Sequence, residues 1–136
     1  GGYANSKLAN LLFLAELARR LAAKGSATIS VGAHPGGAAT NIKKNDPNAL
    51  SSRIEKKLQP LIIKYLINTA AKGALPSLYA ATMPDVVNGE YFGPDGFIEF
   101  RGYPTRARRS AKAKDMVTAK RLWEISEQLT GVSYLD

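Results

Sequence analysis

Cysteine is absent from the 136 residues, and histidine occurs once, as His34. No disulfide can form, and neither a thiolate nor a multi-histidine metal centre can be assembled, so no metal site is expected. A chain without disulfides suits a reducing compartment, and a cytoplasmic location is the expectation. Long apolar runs are missing too. None reaches the roughly 18 to 20 residues that span a bilayer, and the N-terminus lacks the basic, apolar and small-residue order of a signal peptide, so no transmembrane segment is expected. Nor is there an initiator methionine. The chain opens on GGYANSKLAN, which reads as the interior of a longer protein.

Acidic residues are scarce: 11 Asp and Glu stand against 19 Lys and Arg, for a formal charge of +8. The excess is concentrated in RGYPTRARRSAKAKDMVTAKR, residues 101–121, which holds eight basic residues and one acidic one. Such a stripe can meet phosphates. No nucleic-acid-binding motif accompanies it, so it reads as a solvated loop and the start of a helix, and no nucleic-acid partner is expected. With 45% hydrophobic and 22% charged residues, the chain has the balance of one soluble globular domain.

Helical periodicity dominates what is present. Leu8, Leu11, Leu12, Ala15, Ala18 and Ala22 recur at helical spacing over residues 3–24, with Leu14, Leu17 and Leu21 widening the apolar face and Gly25 as the stop. ATISVGAH, residues 27–34, alternates Ile29, Val31 and Ala33 against Thr28, Ser30 and Gly32. That pattern predicts an inner parallel strand, which runs into Pro35, Gly36 and Gly37. KKNDPNAL is turn-forming, and beyond it Ser52 and Glu55 stand at capping-box spacing, ahead of a helix kinked by Pro60. A further helix is predicted from about Thr69 to Met83, with Pro76 inside it. A short strand follows around Tyr91 and Phe92, with FIEF as its extension, and a last helix runs from about Lys112 to Thr130, stopped by Gly131. Helices alternating with short strands predict an α/β fold. Two strands do not complete a sheet covered on both faces, so more chain is expected upstream.

Tyr3 and Lys7 are four residues apart, which on a helix places them one turn apart on a common face. A phenol exchanges protons poorly near neutrality, and a neighbouring ammonium stabilises the phenolate by opposite charge. The pair can protonate a carbonyl oxygen or take the proton of an alcohol. Tyr and Lys at this spacing also occur as a packed ring with a snorkelling amine. Here Ser6 and Asn10 add polar groups near the same face, and a strand ends about 25 residues later in a Pro-Gly turn, where open α/β sheets place their ligands.

Together these residues carry a resemblance. YANSKLAN, followed by the helix, the strand and HPGGAAT, resembles the short-chain dehydrogenase/reductase family. NGEYFGPDG and RLWEISEQLTG are most similar to its branch of retinol dehydrogenases and protochlorophyllide-reductase-like oxidoreductases. The resemblance covers essentially the whole chain, yet represents the C-terminal half of a family member. It implies an α/β fold: the C-terminal half of a Rossmann-type doubly wound parallel sheet with flanking helices. Residues 1–136 would then be the C-terminal portion of one NAD(P)-binding domain, and residues 43–68 a substrate lid.

By the same resemblance, Tyr3 is the catalytic acid/base, and Lys7 is the lysine that favours the phenolate and holds the nicotinamide ribose. Pro35 and Gly36 match the turn beside the nicotinamide, with the backbone of Gly37 or Ala38 at the carboxamide. Thr40 matches a threonine that contacts the carboxamide or the pyrophosphate, and Leu50, Ile54 and Leu58 are apolar walls of the lid. The implied activity is an NAD(P)-dependent oxidoreductase that interconverts an alcohol and a carbonyl by hydride transfer. The implied cofactor is NADP or NAD, and the implied substrate is a small lipophilic alcohol or carbonyl. The implied partner is the N-terminal half of the same enzyme, with homo-oligomer and monomer both open. The Gly-rich GxxxGxG turn that seats a pyrophosphate on a helix N-terminus is not in the sequence. That turn and the family's catalytic Ser and Asn are expected upstream of Gly1, so the segment alone is expected to be inactive. A second reading of the residues is a catalytically silent interaction module that docks through its apolar helices. It accounts for the hydrophobicity, but not for Tyr3, Lys7 and the Pro-Gly turn together.

Overall fold

A computed structural model describes residues 1–37 and 68–135. The lid with Leu50, Ile54 and Leu58, the helix expected from Ser52, and the cofactor candidates Ala38 and Thr40 lie outside the described residues. The chain divides into two compact units, one of residues 1–32, 84–91 and 108–136, the other of residues 33–83 and 92–107.

The first unit is built on helix α1, Gly2–Ala23, within a residue of the predicted bounds. It closes at Gly25, whose φ of 62° is the left-handed conformation glycine adopts without strain. The Gly25 N–H donates to the Ala22 carbonyl and the Ser26 N–H to that of Leu21, a Schellman pairing. The last helix begins later than its periodicity suggests. Lys112–Lys114 form a separate 3-10 turn, and helix α3 spans Met116–Thr130. The break falls at Asp115, whose carboxylate accepts the N–H groups of Val117 and Thr118 and so caps the helix there. Gly131, at φ 67°, ends it as expected.

Leu12, Leu14, Ala18 and Leu21 of α1 and Ala119 and Trp123 of α3 are buried, while Ala22, expected on the apolar face, is exposed. Phe13 stacks on Trp123 with ring centroids 5.0 Å apart, and the Arg20 guanidinium lies 4.6 Å from the same indole, a cation–π contact. Glu16 is fully buried on the same helix. Its carboxylate takes hydrogen bonds from Arg19 at 2.7 and 2.8 Å and from Arg20 at 2.8 Å, so the buried charge is matched within one helical turn. The Arg19 hydrogen bond, with help from Arg20, holds this carboxyl below the usual carboxylate range against the opposing effect of burial.

The strand expected over residues 27–34 is confined to β1, Gly32–Ala33. Asn88 serves the preceding residues instead of a ladder. Its Oδ1 accepts the Ser30 N–H at 2.9 Å and its Nδ2 donates to the Ala18 carbonyl at 2.7 Å. Gly89, at φ 86°, donates its N–H to the Ser30 carbonyl. With both backbone groups of Ser30 met by a turn, strand pairing starts only at Gly32.

The second unit holds helix α2, Ala70–Thr82, capped by the Thr69 hydroxyl and carrying Pro76 buried inside it. Strand β2 is Tyr91–Pro94 and β3 is Pro104–Arg106, paired antiparallel with Phe92 opposite Arg106 and Pro94 opposite Pro104. The sheet order is β1-β2-β3. Gly32 donates to Glu90 and His34 to Phe92, so the bonds advance in step along both chains and β1 and β2 run parallel. Strand β3 was not expected in the basic stretch. FIEF does not extend β2 either, because Phe97–Glu99 form a 3-10 turn in which Ile98 and Glu99 have φ of 53° and 55°. The Asp95 and Gly96 N–H groups already donate to the Tyr103 and Arg101 carbonyls, and the Tyr103 N–H donates to the Asp95 carboxylate, which closes a hairpin around the turn. Phe92 is fully buried, with the Tyr79 ring 5.2 Å away. The described residues are therefore α/β with flanking helices, as the fold class requires, while the sheet is mixed rather than wholly parallel because β3 returns antiparallel through the hairpin.

Candidate active site

In the first unit the predicted pair stands on the first two turns of α1. Tyr3 is 77% exposed, and Lys7 and Asn10 are exposed as well. The Lys7 ammonium lies 5.5 Å from the centroid of the Tyr3 ring, and the Ser6 hydroxyl donates to the Tyr3 carbonyl at 2.8 Å, which ties down the first turn. Both candidate side chains thus sit at the N-terminal end of the helix. The exposed Tyr3 hydroxyl can hydrogen-bond an oxygen atom placed at its tip.

In the second unit the other half of the prediction is a stretch of backbone. Gly36 has φ 67°, and a Cβ there would stand 2.6 Å from the Phe100 carbonyl oxygen and 2.8 Å from that of Glu99. A Cβ on Gly37 would enter the Phe100 ring. The two glycines are therefore demanded by the turn at residues 97–100, which packs against them. The Gly37 N–H donates to the Phe100 carbonyl at 2.8 Å and the Gly37 carbonyl accepts the Asn68 N–H at 2.7 Å. Pro35 stays exposed.

Three residues that shape this turn were not singled out as site residues in the sequence. Asn68 is buried at 1% exposure, with its side-chain amide 3.5 Å from the Pro35 carbonyl and its Oδ1 3.4 Å from the Gly102 N–H. His34 accepts the Gly36 N–H on Nδ1 at 3.2 Å and places Nε2 3.3 Å from a Glu99 carboxylate oxygen. Phe100 supplies the ring and carbonyl already described. His34 had a signal, since it directly precedes Pro35; Asn68 and Phe100 had none, because neither periodicity nor motif marks them.

Among the described residues no group of His, Asp and Glu could hold a metal ion, and no helix is long and apolar enough to cross a membrane. An open cavity of about 390 Å³ in the first unit, lined by Ala15, Ala18, Arg19, Arg109, Lys114 and Met116 among others, includes none of the predicted site residues.

A scan against protein-family models finds no match. Among curated proteins the chain is 38% identical to retinol dehydrogenase 14 of Mus musculus over 132 residues, which is 96% of this chain and 35% of that protein. It is 31% identical to retinol dehydrogenase 12 of the same species, over 97% of this chain and 37% of that protein. An uncharacterised oxidoreductase of Schizosaccharomyces pombe is 33% identical over 84% of the chain and 32% of its own length. Among solved structures, an uncharacterised protein from Mycobacterium paratuberculosis matches with a TM-score of 0.70 and 36% identity, over 97% of this chain and 39% of that one. The chain spans about a third of the length of the curated relatives it matches.

Proposed function

We propose that this chain, a member of the short-chain dehydrogenase/reductase family on the branch of the retinol dehydrogenases, is the C-terminal, proton-transferring portion of an NAD(P)-dependent oxidoreductase. The reaction interconverts an alcohol and a carbonyl. The observation that carries this reading is the Tyr3–Lys7 pair, one helical turn apart on the exposed start of α1, in a chain that matches such oxidoreductases over nearly all its residues.

Taken unit by unit, the residue types present suit a nicotinamide nucleotide. An exposed phenol and an exposed ammonium stand together on α1, and an exposed proline edge leads the Pro-Gly turn. Lys7 would hold the ribose, and Pro35 and Gly36 would back the nicotinamide. The backbone of Gly37 or Ala38 would meet the carboxamide, and Thr40 the carboxamide or the pyrophosphate. NADP or NAD, when bound, supplies or accepts the hydride. Tyr3 gives its proton to the carbonyl oxygen in reduction and takes it from the hydroxyl in oxidation, while the Lys7 charge stabilises the phenolate left behind. The substrate is a small lipophilic alcohol or carbonyl, held under a lid of residues 43–68 with Leu50, Ile54 and Leu58 as its walls. The family's Gly-rich turn, catalytic Ser and catalytic Asn come from the N-terminal half, so residues 1–136 alone are inactive. A cytoplasmic location completes the proposal.

The test is turnover of lipophilic aldehydes and ketones by the full-length protein with NADPH and with NADH, followed by nicotinamide absorbance. Turnover that is lost in Tyr3→Phe supports the reading, and turnover that survives the substitution rejects it.

A further inference from the structure

Gly36 and Gly37 have no side chains with which to anchor themselves, and yet a turn that backs a nicotinamide must keep a fixed height. Its rigidity must come from neighbours. Among the described residues of the second unit the anchors lead to two places. Asn68 binds the Gly37 carbonyl through its backbone N–H at 2.7 Å and reaches the Pro35 carbonyl with its side chain. The hairpin turn binds Gly37 through Phe100 and reaches Gly36 through His34, whose Nδ1 accepts the Gly36 N–H while its Nε2 faces Glu99 at 3.3 Å. The two anchors are themselves joined, because the Asn68 Oδ1 faces the Gly102 N–H of the same hairpin. Room for the imidazole is made by Gly93, where any Cβ would enter the His34 ring.

We propose that Asn68 and Glu99, acting through the Pro35 and Gly37 backbone and through His34, are positioning residues that set the Pro-Gly turn for the nicotinamide end of the cofactor. The inference rests on the oxidoreductase reading. Neither side chain reacts. Asn68 fixes both carbonyls of the turn, and its burial removes competition from water. Glu99 orients an imidazole that can accept the Gly36 N–H only while Nδ1 carries no proton. The turn would meet the nicotinamide end, so the adenine half of the dinucleotide should not sense it.

The experiment uses the full-length protein and compares binding of NADPH or NADH with binding of the corresponding ADP-ribose, which lacks nicotinamide, by fluorescence and calorimetric titration. Asn68→Ala and Glu99→Ala should each weaken the complete dinucleotide by about threefold to tenfold, the scale of one hydrogen bond, and leave the nicotinamide-free fragment within about twofold of wild type. Glu99→Gln, which keeps a polar group of the same size beside Nε2, should restore most of the loss. If Asn68→Ala fails to fold, Glu99→Ala carries the test, because that side chain is partly exposed. Equal losses for both ligands, or unchanged dinucleotide affinity in the variants, overturn the positioning role. A wild-type protein that binds neither ligand overturns the oxidoreductase reading and this inference with it.

Discussion

In the proposed function the first unit would offer its chemistry on side chains, Tyr3 and Lys7, that extend from an exposed helix end, while its packing lies further along the same helix at Leu12, Leu14, Ala18 and Leu21. The second unit works the other way. Its contribution is the backbone of Pro35 to Gly37, and the side chains of His34, Asn68 and Phe100 serve to hold that backbone. In the first unit function and packing are separated along the chain; in the second they occupy the same few residues. Substitutions in the first unit should therefore damage either chemistry or stability, whereas substitutions around the turn should damage both.

The sharpest break in this contrast is Tyr3→Phe in the full-length enzyme. It removes the proton donor and keeps the ring, so kcat should fall by about 10²- to 10⁴-fold with dinucleotide affinity nearly unchanged, as steady-state kinetics beside a binding titration would read. Next in size is Trp123→Ala. Removing the indole that stacks on Phe13 and underlies Arg20 should cost about 3–5 kcal/mol of stability, measured by denaturant unfolding, while kcat per folded molecule holds. Gly36→Ala tests the second unit. A left-handed alanine facing two backbone carbonyls should cost about 1–3 kcal/mol and weaken dinucleotide binding together with stability. A variant that loses one without the other would blur the distinction between the units.

The smallest effect is read in the pH dependence of stability. The Glu16 carboxyl is held below its ordinary range, first by the Arg19 hydrogen bond. A depressed native value contributes stability that is present above the unfolded value and disappears as pH falls through the native one. Wild type should therefore lose stability more steeply than Glu16→Gln below about pH 4.5, the ordinary value for such a group. Asp115, also lowered by its Thr118 contacts, is common to both proteins and cancels in the comparison.

What could be read from the sequence divides along the same line. Helix α1, its Gly25 stop, the capped helix after Thr69 and the Gly131 stop follow from local rules that need no partner, and all appear within a residue or two. The strands follow from partners. Residues 27–31 have a strand's alternation, yet Asn88 and Gly89 satisfy Ser30 first, and no local pattern shows that. Pro104 to Arg106 lie in a stretch dominated by charge, and they are a strand because β2 stands beside them. In the site, Tyr3 and Lys7 were legible as a spacing and the glycines as a motif. Asn68 was not, because what makes it matter is a set of contacts 31 to 34 positions distant in the chain.

Helix α1 has a consequence for how damage to this protein would be seen in a cell. Its 22 residues form a rod about 33 Å long, and the buried stretch that begins at Leu12 starts about 14 Å from Tyr3 along the axis. An inherited change at Leu14, Ala18 or Trp123 should act as a dosage lesion: fewer molecules survive quality control, each of normal competence, and cooler growth or added chaperone restores output. A change at Tyr3 or Lys7 should leave abundance normal and resist any such rescue. Quantitative immunoblotting beside an activity assay would sort new alleles into these two kinds without purifying any of them.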